Sequence, residues 1–215
     1  MKRAGRPFCS LFLALSLVAA CVSVPSTTKT QVSGFEKASP AKKVAVLRGP
    51  AKNGRYNMPA CIAKSLSSAV PKLKVVSPDE LEKLLSPPLE RDNPPKDENA
   101  LARLLERRDV RVRLRSMDLT HLIFIRSEYE VEKHGWGSCR QGCVGAESAK
   151  EEIRLSGVVW DLQRGAQFGR INVNSIGTSR VAAFLIPVGL IAFPEKAACD
   201  ALVSSLQKSW LKQED

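Results

Sequence analysis

The chain has 215 residues, with 33 Lys and Arg against 22 Asp and Glu, and its formal net charge is +11. Hydrophobic residues make up 44% and charged residues 26%, a balance that can fill a core, so a disordered tail is excluded and one folded domain is expected. With two histidines in the sequence, there is little room for His-rich metal or acid–base sites.

The amino terminus has the features of an export signal. Three basic residues lie within the first six positions, and residues 8–20 form an apolar run that is too short to span a bilayer as a helix. Small residues directly before Cys21 resemble the bacterial lipobox, after which the signal peptide is removed and the cysteine is acylated. Ordinary cleavage after Ala20, which would leave Cys21 as a plain thiol, is the alternative.

The lipobox resemblance divides the chain into three parts. Residues 1–20 are predicted to be a lipoprotein signal peptide. Residues 21–40 are predicted to be the lipidated Cys21 and a flexible tether, since they are rich in Ser, Thr, Lys and Pro and lack apolar periodicity. Residues 41–215 are predicted to form a single α/β periplasmic domain. Because Val22 after the cysteine resembles outer-membrane sorting, we expect the lipid anchor in the bacterial outer membrane, with the protein on its periplasmic face.

The first half of the predicted domain alternates strands and helices. Residues 43–47 are a short apolar run before Gly-Pro, which predicts a buried strand, and residues 59–70 have an apolar helical face behind an initial proline. Residues 72–76 predict a second strand. Ser77, three residues before Glu80, has the pattern of a capping box and predicts a second helix.

The middle of the chain contains one ambiguous segment. A Pro-rich loop over 86–96 precedes a predicted helix over 97–108. Residues 109–115 alternate as a strand does, yet their apolar residues also have helical spacing, and we predict a short helix. Residues 120–131 predict a strand.

The last part of the chain is predicted to contain a hairpin and a helix. A Gly- and Cys-rich loop over 134–145 leads to strands over 151–162 and 167–175, and the final helix is predicted over 195–211. The order β-α-β-α-(α)-β-β-β-α indicates an α/β (α+β) fold in which helices pack on one mixed sheet.

Four cysteines follow the predicted signal peptide and lipid-anchored cysteine, and an even number in an oxidising periplasm suggests two disulfides. Cys139 and Cys143 are close enough for a local disulfide, with free thiols or a metal site that includes His134 as alternatives. Cys61 lies on the first predicted helix and Cys199 on the last, so they are predicted to pair if those helices are neighbours. We expect no metal and no other cofactor.

An apolar segment separates the predicted hairpin from the last helix. Residues 181–193 are almost wholly apolar, but they are too short to span a bilayer and Pro187 interrupts them. They predict either a buried crossover or an exposed patch that contacts a partner or the bilayer. In the second interpretation the contact residues are Phe184, Leu185, Ile186, Leu190 and Ile191.

Other motifs point to no specific chemistry. Residues 49–56 approach the phosphate-binding loop, but Arg55 and Tyr56 replace its lysine and hydroxyl, so we predict an ordinary loop. Six arginines between positions 103 and 115 predict a solvated face, with anionic headgroups or envelope polymers as the available partners; location excludes nucleic acid. The sequence contains no nucleophile–base motif, although paired carboxylates are not recognisable from spacing alone.

Several segments resemble a loose group of proteobacterial envelope lipoproteins, many of them uncharacterised. The resemblance is carried by the lipobox, the strand-to-helix unit over 44–70, and residues 159–165, 177–179 and 194–199. The domain of these proteins is similar to the amino-terminal α/β domain of TolB and to the periplasmic part of CsgG-type lipoproteins, and no catalytic residues come with the likeness. CsgG-type proteins insert hairpins to form a pore, whereas this sequence shows no long amphipathic hairpins with lipid-facing alternation.

These features predict a non-enzymatic, membrane-anchored lipoprotein. Its periplasmic domain is expected to bind a protein or an anionic envelope polymer. A periplasmic enzyme with an unrecognised carboxylate site is the first alternative, and an accessory subunit of an envelope export assembly is the second.

Overall fold

The computed structural model describes residues 21–35, 41–53, 56–86, 94–138, 144–183 and 187–211. Its strands are β1 (Cys21–Val24), β2 (Thr27–Gly34), β3 (Lys43–Lys52), β4 (Lys74–Val76), β5 (His121–Ser138), β6 (Val144–Asp161), β7 (Ala166–Ala183) and β8 (Pro187–Ala192). Its helices are α1 (Met58–Ala69), α2 (Pro78–Leu85), α3 (Glu98–Glu106), α4 (Arg108–Ser116) and α5 (Pro194–Leu206), and a π-helical turn, Gln207–Leu211, continues α5.

The strands form one mixed sheet, which confirms the predicted fold class. In the described part of the chain the strand order is β1-β8-β7-β6-β5-β3-β4, and β2 also pairs with β7. β3 is parallel to β4 and β5, and β1 is parallel to β8, whereas the remaining pairs are antiparallel. β5, β6 and β7 have 18 residues each, so this meander is about 60 Å long.

Helices cover both faces of the sheet at one end of the meander. α1 and α5 share a buried core with Ile125 and Val159, whereas α2, α3 and α4 share a second core with Phe124 and Val158. Neighbouring strand residues lie in different cores because successive side chains point to opposite faces of a sheet. The two cores fix the sheet between two helical layers.

Local sequence signals set the helix starts. The Ser77 hydroxyl accepts a hydrogen bond from the Glu80 amide at 3.3 Å, and the Asp97 carboxylate accepts one from the Ala100 amide at 2.7 Å. Each cap satisfies an amide that has no partner within its own helix. The ambiguous segment forms helix α4, as predicted, because its helical spacing buries Val110 in the second core.

The predicted flexible tether is wrong for residues 21–34, which form β1 and β2. β2 pairs along its length with β7, and Phe35 directly after it is 4% exposed in the first core. Gly169 makes room for this ring, since a Cβ there would lie 2.5 Å from the ring of Phe35. β2 itself has largely exposed side chains, so backbone hydrogen bonds and one buried ring hold a segment that has no apolar periodicity.

The predicted loop over 134–145 is also wrong in part, because strands continue on both sides of it. β5 extends to Ser138 and β6 begins at Val144, which produces the long hairpin that was not expected. The residues 130–135 are exposed and mostly charged or polar, so they show no burial alternation. Their strand conformation comes from the backbone ladder with β6.

In the described part of the apolar segment 181–193, the predicted crossover is wrong: residues 181–183 end β7, and Pro187–Ala192 form β8, which lies between β7 and β1. β7 and β8 pair antiparallel from Arg180 with Leu190 to Ala183 with Pro187. A proline at the first residue of a strand is compatible with such pairing, because no ladder hydrogen bond from its nitrogen is needed there. Leu190 and Ile191 are half-buried, and the predicted contact residues 184–186 lie outside the described residues.

Candidate functional site: an open polar face of the sheet

The candidate site lies on the sheet face that α2, α3 and α4 cover at one end. The Arg170 guanidinium on β7 forms an ion pair with Glu98 of α3, and Arg48 of β3 pairs with Glu82 of α2 at 3.1 Å. Beyond these pairs the same face carries polar side chains around a cavity of about 550 Å³. We call it the open sheet face, and it is lined by Lys29, Gln31, Pro50, Lys52, Arg126, Ser127, Glu128, Arg154, Leu155, Ser156, Asn172, Val173 and Asn174.

Strand register arranges these side chains in two adjacent rows, since residues paired in register lie on the same side of a sheet. The first row runs from β5 to β2 and consists of Arg126, Ser156, Asn172 and Gln31. The second row runs from β3 to β2 and consists of Lys52, Glu128, Arg154, Asn174 and Lys29. At about 4.8 Å between strands, the second row is about 19 Å wide.

Arg154 is the cation of the open sheet face whose guanidinium has carboxylate partners within the protein. It donates to Glu152 at 2.9 Å and to Glu130 at 3.4 Å, and the Asn174 amide donates to Glu152 at 3.1 Å. The hydrogen bond that Arg154 donates to Glu152 and the negative charge of Glu130 raise the pKa of Arg154 above its usual value. This network orients Arg154 and Asn174, and it occupies both carboxylates.

Three other cations of the open sheet face have no such partner. Within the described residues, the side chains of Lys29, Lys52 and Arg126 make no hydrogen bond or ion pair, and Glu128 is the acid beside them. Lys29 and Lys52 are exposed, and Arg126 is half-buried. The face can therefore bind an anionic group without first breaking an internal salt bridge.

Two carboxylates lie next to each other beside the open sheet face and share one arginine. Glu130 and Glu152 lie opposite each other on β5 and β6, which is the one arrangement here that resembles a catalytic pair. Arg154 contacts both of them, and the Glu130 side chain is 50% exposed. Both carboxylates therefore share one arginine as their counter-ion.

The three cysteines that the structure describes, Cys21, Cys61 and Cys199, do not line the open sheet face. Cys61 on α1 and Cys199 on α5 are joined by a disulfide, with their Cα atoms 6.4 Å apart. Cys21 is the first residue of the edge strand β1. The predicted pair Cys139 and Cys143 lies outside the described residues, so its disulfide stays a prediction.

The stretch that approaches a phosphate-binding loop and the arginine-rich stretch have different positions in the structure. The first four residues of the stretch that approaches a phosphate-binding loop, 49–52, are the end of β3, and this brings Lys52 to the open sheet face; Arg55 lies outside the described residues. In the arginine-rich stretch, Arg107 pairs with Asp109 at 2.9 Å and Arg113 donates to the carbonyl oxygen of Leu84 at 3.1 Å. These arginines thus include structural as well as solvated residues.

Most residues of the open sheet face were not singled out from the sequence. Lys29 and Gln31 lie in the segment that was predicted to be a tether, and Arg126, Arg154 and Asn172 lie in predicted strands. The available signal was the alternation of polar with apolar residues along β5, β6 and β7, which marks one solvent-facing side. That signal cannot show which polar residues of different strands meet, because the register comes from the fold.

The described part of the chain contains no group of three or more His, Cys, Asp and Glu side chains placed to hold a metal ion. Over the same residues, none of the helices combines the length and the apolar character that crossing a membrane requires.

The chain has structural likenesses but no sequence match in the comparisons with known proteins. No protein-family model matches it, and no curated protein matches its sequence. It is similar to the PelC dodecamer from Paraburkholderia phytofirmans, with 13% identity and a TM-score of 0.40 over 87% of this chain and 99% of that one. It is also similar to lipoprotein GNA1162 from Neisseria meningitidis, with 15% identity and a TM-score of 0.36 over 79% of this chain and 96% of that one. The LpoB C-terminal domain from Salmonella enterica is a third similar structure, with 12% identity and a TM-score of 0.28 over 67% of this chain and 86% of that one.

Proposed function

We propose that this protein is a non-enzymatic lipoprotein, anchored through Cys21 at the periplasmic face of the bacterial outer membrane, and that its open sheet face binds an anionic envelope polymer. The observation that supports the proposal most directly is the set of three unpaired cations, Lys29, Lys52 and Arg126, around one cavity of about 550 Å³. The anchor rests on the lipobox before Cys21.

A polymer fits the shape and chemistry of this face better than a folded protein does. Guanidinium, ammonium, amide and hydroxyl groups lie side by side over about 19 Å, so a chain with anionic groups and hydroxyls can make many weak contacts at once. A protein interface usually has an apolar centre. The apolar side chains of Leu155 and Val173 belong to the core on the opposite side of the sheet.

Binding to isolated peptidoglycan sacculi, which carry carboxylates, tests the proposal by co-sedimentation, with neutral cellulose as the polymer control. The variant Lys29→Gln/Lys52→Gln/Arg126→Gln is expected to bind sacculi about tenfold more weakly, because three charge contacts of up to about 1 kcal/mol each are lost. Salt is expected to weaken binding of the unchanged protein, since exposed charges are screened.

A matched variant separates the site from overall charge. Lys64→Gln/Lys72→Gln/Lys83→Gln removes the same number of positive charges from exposed positions outside the open sheet face. It is expected to bind sacculi as the unchanged protein does. Equal weakening of the two triple variants, or equal binding to cellulose, would show that the open sheet face is not the binding site.

A further inference from the structure

A second cavity, of about 630 Å³, lies between α4 and the turn that joins β6 to β7. It is on the same side of the sheet as the α2–α4 core, at the end of the meander opposite to its long hairpin. We call it the Trp160 cleft, and it is lined by Lys42, Leu105, Arg111, Leu114, Arg115, Asp118, Leu119, Thr120, Trp160, Asp161, Leu162, Gln163 and Gly165.

The inner wall of the Trp160 cleft is apolar. Leu114, Leu119 and Trp160 are 4%, 6% and 9% exposed, and all three belong to the α2–α4 core. Leu105 and Leu162 are half-buried against the same core. The cleft therefore opens directly onto hydrophobic core residues, and an alkyl chain entering it would replace water on an apolar surface.

The rim of the cleft is cationic. Arg111 and Arg115 lie four residues apart on α4, so they share one helix face, and Lys42 lies just before β3. All three are exposed, and their side chains make no hydrogen bond or ion pair within the described residues. Arg111 and Arg115 thus lack side-chain contacts of the kind that Arg107 and Arg113 make in the same arginine-rich stretch.

The acids in the cleft do not cancel this charge. The Asp161 carboxylate accepts hydrogen bonds from the backbone amides of Gln163 at 2.8 Å and Arg164 at 3.0 Å, and it forms an ion pair with the Arg164 side chain at 3.5 Å. The carboxylate of Asp161 is thus occupied by contacts within the β6–β7 turn. Asp118 is the remaining acid, so positive charge is in excess at the rim.

We propose that the Trp160 cleft binds a single-chain amphiphile with an anionic head group. The apolar wall would hold the alkyl chain, and Lys42, Arg111 and Arg115 would hold the head, with their aliphatic stems covering part of the chain. The cavity volume lies within the range of small-molecule sites, and an apolar lining with a few converging charges is typical of them. A fatty acid and a lysophospholipid-type phosphate share this chemistry.

Calorimetric titration of the full chain carrying Cys21→Ser, which has no acyl anchor of its own, tests the proposal. The probes are dodecyl phosphate and dodecanoate below their critical micelle concentrations. Inorganic phosphate is the control for the head group alone, and dodecyl maltoside is the control for the alkyl chain with a neutral head group. Saturable binding of one or both anionic amphiphiles is expected, and the preferred head group identifies the natural source. Binding of phosphate alone with equal affinity, binding of dodecyl maltoside with equal affinity, or binding of neither amphiphile would overturn the proposal.

Two pairs of variants locate the binding. Arg111→Gln/Arg115→Gln is expected to raise the dissociation constant about fivefold, because two exposed charge contacts are lost. Arg103→Gln/Arg108→Gln removes equal charge from exposed positions on α3 and α4 that do not line the cleft, and it is expected to have no effect. Trp160→Phe keeps the wall apolar and should abolish the change in the protein's tryptophan fluorescence that the ligand causes. Equal weakening by both arginine pairs would contradict a site in the cleft.

Discussion

His121 is a buried titratable residue whose ring has no polar neighbour to bind it. The side chain is fully buried, and neither ring nitrogen has a hydrogen-bond partner within the described residues. Aromatic rings surround it instead: its centroid lies 4.7 Å from that of Trp210 and 5.7 Å from that of Phe168. Burial lowers the pKa of His121 below its usual value of 6.5, Asp161 raises it by less, and Arg164 lowers it further.

This burial predicts a loss of stability in mild acid. Above pH 6.5 both the folded and unfolded states hold His121 neutral; as the pH falls below 6.5 the unfolded state takes up a proton that the folded state resists. The free energy of unfolding should therefore decrease by up to about 1.4 kcal/mol per pH unit until the lower, folded-state pKa is reached. His121→Phe should remove this component from urea unfolding curves measured from about pH 7.5 to about pH 5, a range around the usual pKa of histidine.

The second histidine supplies the control for this measurement. His134 is exposed on β5, so His134→Phe should leave the pH dependence of unfolding unchanged. A pH profile of His121→Phe that matches that of the unchanged protein would show that other groups cause the acid sensitivity.

At the scale of elements, a covalent bond reinforces the contact between α1 and α5. The Cys61–Cys199 disulfide joins two helices of the first core across a sequence separation of 138 residues. Cross-linking positions so far apart restricts the unfolded chain strongly, and removing native disulfides costs about 2–5 kcal/mol. Cys61→Ala/Cys199→Ala is expected to lower the free energy of unfolding by that amount in urea denaturation.

Reductant gives an independent check on the same bond. Dithiothreitol should destabilise the unchanged protein and Cys139→Ala/Cys143→Ala alike, but it should have no further effect on Cys61→Ala/Cys199→Ala. A reductant effect that disappears with Cys139 and Cys143 would assign the stabilisation to the other pair of cysteines.

The elements also show where sequence reasoning succeeds in this protein. The cap at Ser77 is a local signal and the apolar stripe from Cys199 to Trp210 is a periodic one, and the structure confirms the helices that they predicted. β2 has no such signal. Its end is fixed by the ring of Phe35, which packs against Gly169, a residue far away in the sequence. The open sheet face could not be predicted from the sequence for the same reason. Lys29 and Arg126 line one cavity only because β2 pairs with β7, β7 with β6 and β6 with β5.

For the whole molecule, the pairing of β1 determines how a lipid anchor would orient the protein. One row of register partners crosses the sheet through Gly135, Glu147, Val181, Gly189 and Cys21. This row lies near the end of the long β5–β6 hairpin, away from the helices. With Cys21 lipidated, that end of the meander would face the bilayer.

The meander would then separate the bilayer from both candidate binding sites. Seven residue steps along β5 separate the row of Gly135 from that of Glu128 on the open sheet face, which is about 23 Å. The row of His121 and Asp161, beside the Trp160 cleft, is about 45 Å from the anchor row. A polymer bound at the open sheet face would therefore lie within the periplasmic space rather than against the headgroups.

This orientation can be measured with the lipidated protein in liposomes that contain nitroxide-labelled headgroups. A fluorophore at Glu147, which is exposed and lies in the anchor row, is expected to be quenched strongly, and one at Gln163 in the β6–β7 turn weakly, because of their separation along the strands. Inserting about 15 Gly and Ser residues between Cys21 and Val22 would supply a real tether of about 20 Å root-mean-square reach and should make the two signals more alike. Cys21→Ser should abolish membrane association and quenching at both positions. Equal quenching at Glu147 and Gln163 without the insertion would mean that β1 does not hold the anchored end of the chain against the sheet.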